Sequence, residues 1–222
     1  MLLTIKNVLT ENQLKVIRTL LVNAEFTDGK LSAGKEANSV KNNTELSQDS
    51  QLHEQLNQMV MPSLLQNAEY QASAFPLKIA TPFYARYRVG MEYGFHVDDP
   101  VMGPMQGRYR SDISTTIFLN DDYEGGELVI KRPFGEQSIK LNAGDAVVYP
   151  STSLHKVNPV TEGERLVAVT WAQSMIKDCS KRELLYELGQ ARETLLESHK
   201  GSEEASQVSN VYANLVRRWS EV

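Results

Sequence analysis

The chain has 222 residues, 41% hydrophobic and 23% charged, enough to bury one substantial core and ordinary for a soluble globular protein. Its net charge of −5 argues against nucleic acid as a main partner, because phosphate binding draws on basic surface. No apolar run of roughly eighteen residues offers a membrane-spanning helix, and the start, MLLTIKNVLTENQ, has neither the basic region nor the apolar stretch of a signal peptide. A single cysteine, Cys179, excludes an internal disulfide and a thiolate metal cluster, in keeping with a cytoplasmic setting.

The first 76 residues read as a helical support region. Thr10 and Gln13 form a capping-box pattern ahead of Leu14, Ile17, Leu20 and Leu21 at helical spacing. A second helix is expected from near Asp49, with Leu52, Leu56, Met59 and Val60 as its apolar stripe and Pro62 as a kink or boundary. His53 in that stretch reads as a surface or boundary histidine.

From residue 77 to 177 the texture is β. Short β-branched and aromatic runs (LKIATPFYARYRVG, DISTTIFLN, GELVIKR, DAVVYP, RLVAVTWAQ) are punctuated by NDDYEGG, PFGEQ, NAGD and TEGE. Many short strands with such turns predict a sandwich or barrel-like structure. The segment Met102–Arg110 reads as a longer loop near a site. From 178 to 222 the helical period returns. Ser180 and Glu183 suggest a capping box for a helix carrying Leu184, Leu188, Ala191 and Leu195. A second helix carries Val208, Val211, Tyr212, Leu215 and Trp219, so the two predict a hairpin around SHKGS whose apolar stripes would suit a homodimer.

The chemistry concentrates in YGFHVDDP. In an extended segment residues i and i+2 face the same side, so His96 and Asp98 project together. His155 follows the strand DAVVYP, and Arg165, ten residues on, opens RLVAVTWAQ. Two imidazoles and one carboxylate form the facial triad of non-haem Fe(II) oxygenases, which leaves open positions for a chelating 2-oxo acid and dioxygen. A guanidinium suits the remote carboxylate of that acid through a bidentate fork. A metal-binding or iron-sensing protein without turnover would share the three ligands but has no use for Arg165.

These residues carry a family resemblance. His96-x-Asp98, His155 and Arg165, with RYRVGMEYGFHVDDP and TTIFLNDDYEGGEL around them, resemble the Fe(II)/2-oxoglutarate dioxygenases, closest to their prolyl-hydroxylase-like branch and to the bacterial PKHD-type hydroxylases, some of them associated with iron uptake. The resemblance implies an α+β fold: a double-stranded β-helix (jelly roll) core with N-terminal helices packed on it and a C-terminal helical hairpin. It implies His96, Asp98 and His155 as Fe(2+) ligands, and Arg165 on the far carboxylate of 2-oxoglutarate. It also implies Tyr87 (or else Tyr84) as a hydroxyl on that co-substrate, Trp171 as an aromatic bordering the pocket, and Thr116 as a further hydroxyl. Phe118 departs from the pattern, standing where some relatives carry a tyrosine. The implied activity is hydroxylation of an unactivated C–H in a small-molecule or peptidyl substrate, with dioxygen consumed, 2-oxoglutarate decarboxylated to succinate, and L-ascorbate (vitamin C) as an auxiliary reductant.

Overall fold

The structure is a computed structural model describing residues 1–32 and 34–222. In chain order, β1 (Leu3–Ile5) leads into α1 (Glu11–Val22), β2 (Phe26–Asp28), the short α2 (Lys35–Asn38), β3 (Lys41–Asn42) and β4 (Thr44–Leu46). Two helices follow, α3 (Gln51–Leu65) and α4 (Ala68–Ala74), then β5 (Pro76–Ile79), β6 (Phe83–Arg88) and β7 (Glu92–His96). A small hairpin of β8 (Val101–Met102) and β9 (Tyr109–Arg110) precedes β10 (Ile113–Phe118), β11 (Glu124–Gly125), β12 (Leu128–Arg132) and β13 (Gly135–Ile139). The β region closes with β14 (Ala146–Pro150), β15 (His155–Val157), β16 (Val160–Glu162) and the long β17 (Glu164–Ser174), before α5 (Cys179–Ser198) and α6 (Glu203–Trp219).

Two antiparallel sheets face each other. The larger runs β1-β14-β10-β17-β6-β4-β2, with β5 also on β17; the smaller runs β13-β12-β15-β7-β3. Alternation along the central strands sorts side chains into two layers. Ser114, Thr116 and Phe118 share a face with Val167, Val169 and Trp171, because register pairs Ser114 with Trp171, Thr116 with Val169 and Phe118 with Val167. That face meets the smaller sheet, and Phe118, Val147, Tyr149 and Val167 pack there against Leu128, Ile130 and Val157. The opposite face, with Ile113, Ile117, Val148, Ala168 and Tyr84, packs on Leu14 and Ile17 of α1 and on Leu56, Val60 and Leu64 of α3. The jelly roll with helices on one side is therefore as expected.

The capping box at Thr10 and Gln13 is formed, with the Gln13 amide donating to Thr10 Oγ1 and the Thr10 amide to Gln13 Oε1. Several local readings are corrected. The N-terminal region is not purely helical: β1 edges one side of the larger sheet, β4 and β2 the other, and β3 edges the smaller sheet. Pro62 lies inside α3, and the helix runs on to Leu65. His53 is buried rather than at the surface, its Nε2 at 2.8 Å from the Pro82 carbonyl and its Nδ1 at 3.1 Å from Asn57. The cap of α5 is Asp178, whose Oδ1 accepts from the amides of Ser180 and Lys181. The helix consequently turns Leu185 and Arg182 inward and leaves Leu184 exposed. Leu185 joins Phe75 and Ile176 in a satellite cluster with Tyr212, Leu215 and Trp219, so the C-terminal hairpin spends its aromatic stripe on its own chain.

Burial separates the stripes energetically. Leu56 is fully buried, and Leu56→Ala should lower the unfolding free energy by about 2–5 kcal/mol. Val211 on α6 is 53% exposed, and Val211→Ala should stay within about 0.5 kcal/mol of the parent. Urea denaturation followed by circular dichroism reads both.

Candidate active site

A cavity of about 830 Å³ opens between the two sheets. His96 ends β7 and His155 begins β15, and the register places them opposite each other across the two strands. Asp98 lies two residues beyond the end of β7, outside the strand, and its chain turns the carboxylate toward both rings. Asp98 Oδ1 stands 3.9 Å from His96 Nε2 and 3.8 Å from His155 Nε2. The ligand atoms of the three residues all lie within 4.8 Å of one another, so they can hold one metal ion.

Backbone carbonyls set both rings. His96 Nδ1 donates to the Gly94 carbonyl at 2.8 Å, and His155 Nδ1 to the Ser153 carbonyl at 2.9 Å. Each neutral imidazole therefore carries its proton away from the centre and turns a lone pair on Nε2 inward. Three acceptors converge with no donor between them, an arrangement that a cation relieves. Burial pushes the His96 pKa down to about 4, with the neighbouring His155 ring lowering it further, so the ring stays neutral. Tyr93 stacks on the His96 ring at 3.6 Å between centroids. The second oxygen of Asp98, Oδ2, accepts a short hydrogen bond from Ser114, which also meets Ser151 at 2.8 Å.

Arg165 lies at the closed end. It is 1% exposed, and its guanidinium sits 5.0 Å from the Tyr87 ring and 5.6 Å from the Phe118 ring. Among the described residues no carboxylate pairs with it, and its Nε finds no hydrogen-bond partner. A buried guanidinium without an anion costs several kcal/mol, a cost that a carboxylate brought from outside would relieve. Fe(II) and a 2-oxo dicarboxylate thus both fit the residues present.

The structure brings His96, Asp98, His155, Arg165, Tyr87, Thr116 and Trp171 to one cavity. Tyr84 is not among them. It faces the helical layer, where its hydroxyl donates to Asn57 at 3.0 Å. Trp171 shares the face of Arg165 but stands six residues up β17, opposite Ser114 and beside Phe83 at 5.4 Å, toward the mouth. Asp99 would face away from Asp98 in a continuing strand, but the strand has ended and it lines the mouth. Arg110 is committed to Asp112, with contacts at 2.6 and 3.0 Å. Sequence reading missed Ser114, Ser151, Tyr149 and the Lys41–Glu45 ion pair at 2.5 Å, which also lines the cavity. Ser114 carried a signal in its parity with Thr116; Lys41 and Glu45 carried none, since they reach the site from β3 and β4.

A barrel of this topology, with a His-Asp-His cluster and a buried cation in one cavity, defines a class of metal-dependent oxygenase. Residues 82–173 match the family model of the 2OG-Fe(II) oxygenase superfamily, and residues 180–221 match that of the PKHD-type hydroxylase C-terminal domain. A PKHD-type hydroxylase of Thioalkalivibrio sulfidiphilus is 51% identical over 224 residues, covering 100% of both chains. The chain belongs to the PKHD-type hydroxylases and is an oxidoreductase of the dioxygenase class. In fold it is similar to a Pseudomonas putida prolyl-4-hydroxylase (TM-score 0.54, 17% identity, 78% of this chain and 92% of that one). It is likewise similar to a Trichoplax adhaerens prolyl hydroxylase in complex with a hypoxia inducible factor peptide fragment (TM-score 0.58, 16% identity, 83% and 86%). Among the described residues no helix is long and apolar enough to cross a membrane.

The depressed His96 pKa has a consequence for the metal-free protein. Between pH 6.5 and about 4 the unfolded chain takes up a proton that the folded imidazole refuses, so stability is full above 6.5 and falls as pH drops toward 4. The loss at the lower end should reach about 3 kcal/mol, from about 1.4 kcal/mol per pH unit. Urea midpoints measured across that range should show it, and His96→Gln should flatten the slope.

Proposed function

We propose that this chain is an Fe(II)- and 2-oxoglutarate-dependent hydroxylase in which His96, Asp98 and His155 hold the iron and Arg165 holds the remote carboxylate of 2-oxoglutarate. The observation that carries this reading is the pairing, within one cavity, of three converging acceptors with a guanidinium 1% exposed and unpaired. A protein that only stored or sensed metal would gain nothing from an unpaired buried cation, and would bear its cost.

When bound, Fe(II) supplies oxygen activation coupled to decarboxylation of 2-oxoglutarate to succinate and hydroxylation of a C–H bond. The chain's own residues do the rest. The Gly94 and Ser153 carbonyls fix the imidazole tautomers, and Ser114 engages one oxygen of Asp98 so that the other faces the iron. Arg165 orients the co-substrate, helped by the Tyr87 hydroxyl, and Thr116 stands on the same wall. Phe83 and Trp171 form the aromatic rim over the mouth, the hairpin β8–β9 covers it, and both keep water from the reacting centre. The substrate is a small molecule or a peptidyl residue, and ascorbate restores iron oxidised in uncoupled turnover. A role in iron uptake, a cytoplasmic location and a homodimer complete the reading. So does the division into a support region (1–76), a catalytic core (77–177) and a helical hairpin (178–222).

Anaerobic titration with Fe(II) and then 2-oxoglutarate tests it through the visible charge-transfer band of a chelated 2-oxo acid. The parent should show the band and Asp98→Ala should lose it. Arg165→Ala should need about 30-fold more 2-oxoglutarate or beyond, the scale of stripping one partner from a buried charge pair. A parent that binds iron and gives no band would leave only the metal-binding role. Ser114→Ala should weaken Fe(II) binding about 10–100-fold in competition with a chelator, because the Asp98 carboxylate loses its anchor.

A further inference from the structure

The residues around Arg165 leave one account open. A guanidinium offers five N–H donors, and a carboxylate held bidentately takes two. Of the others, the Nε–H is buried and has no hydrogen-bond partner, in a residue only 1% exposed. Phe118, 5.6 Å from the guanidinium, brings only hydrocarbon. The cavity wall itself supplies the Tyr87 hydroxyl.

A second phenol stands at the same guanidinium and lines none of the cavity. Tyr123 is 2% exposed, in the turn between β10 and β11. Its hydroxyl is buried without a hydrogen-bond partner, as is Arg165 Nε. Burial pushes the Tyr123 pKa up, and the Arg165 charge is the largest influence opposing it. Gly126 brings them together. A Cβ on Gly126 would meet Arg165 Cδ at 3.0 Å and Tyr123 Cε2 at 3.2 Å, and its φ of +65° is one that side chains rarely adopt. Lys140 holds the ring from the other side, with its Nζ 4.7 Å over the face and a short bond to the Tyr123 carbonyl.

The turn is also tied to the strand of Arg165 on both sides of that residue. Asn120 donates to the Glu164 carbonyl at 2.6 Å and accepts from the Leu166 amide at 2.7 Å. The same side chain reaches Asp122 at 2.8 Å, within the turn. The segment Asn120–Gly126 is thus built as a brace on one residue, and Tyr123 is the only side chain of that brace whose polar atom is buried and unpaired among the described residues.

We propose that Tyr123 is a positioning residue for the co-substrate: its phenolic oxygen accepts an N–H of Arg165 and aims the guanidinium fork at the remote carboxylate of the 2-oxo acid. This rests on the co-substrate reading above. Tyr123 acts through Arg165, so its effect is confined to ligands that carry a remote carboxylate. It supplies from the turn the hydroxyl that Phe118 lacks on the strand.

The test compares 2-oxoglutarate with 2-oxobutyrate, which has the same chelating end and no remote carboxylate. Both are titrated anaerobically into the Fe(II)-loaded parent, Tyr123→Phe, Arg165→Gln and the double variant, with the charge-transfer band as readout. Tyr123→Phe should weaken 2-oxoglutarate about tenfold or more, the scale of one hydrogen bond to a charged group. It should leave 2-oxobutyrate unchanged and add nothing in the Arg165→Gln background. Unchanged 2-oxoglutarate binding in Tyr123→Phe overturns the proposal, and so does equal weakening of both acids, which marks a merely structural ring. A parent with no band for either acid overturns the co-substrate reading itself.

Discussion

The site depends on one strand pairing. Strands β7 and β15 lie antiparallel with His96 opposite His155, and two imidazoles reach one point because of that register. A slip by one residue would send one ring to the opposite face of the sheet. Several contacts resist such a slip. Val157 is paired with Tyr93, Tyr93 stacks on His96, and β15 is held on its other edge by β12 through Leu128 and Ile130. The apolar side chains that make this pairing stable are the same ones that exclude water from the space the histidines face.

Against that well-packed frame the cavity keeps two groups that a stability-driven design would remove. One is the set of facing acceptors at His96, Asp98 and His155. The other is the unpaired guanidinium of Arg165. Both are unfavourable alone, and a ligand of opposite character would relieve each, a cation at one end and an anion at the other. Their placement in a single cavity would make binding and the relief of this cost the same event. The helical layer on the outer face, with Leu56, Val60 and Ile17 fully buried, supplies stability that offsets it.

The flanks contribute more to the site than their composition suggests. Strands β3 and β4, from the N-terminal region, carry Lys41 and Glu45 onto the cavity wall, and β4 borders the strand of Tyr87. The C-terminal hairpin is held through Arg182, whose Nη1 donates to the Ile176 and Lys177 carbonyls at 2.6 and 2.9 Å. The hairpin anchors to the end of β17, the strand that presents Arg165 at its other end.

Period and parity were legible along the chain. The helical spacing of Leu14, Ile17 and Leu21 gave α1, and alternation in RLVAVTWAQ put Arg165, Val167, Val169 and Trp171 on one face. The chemistry of the residue types in His96-x-Asp98, His155 and Arg165 identified the ligands worth looking for. These properties are local: a side chain's direction follows from its neighbours' backbone, and a donor atom's preferences belong to the residue itself. The chain did not disclose that the stretch 3–46 would supply edge strands, since runs of two or three residues are too short to carry a period. Nor did it disclose that His53 would be buried, that Asp99 would line the mouth once its strand ended, or which of Tyr84 and Tyr87 would face the cavity. Lys41 and Glu45 at the cavity and Tyr123 beside Arg165 were equally hidden. Those facts belong to the tertiary structure, because they depend on which distant segments become neighbours, and adjacency between strands is fixed by the closing of the whole barrel.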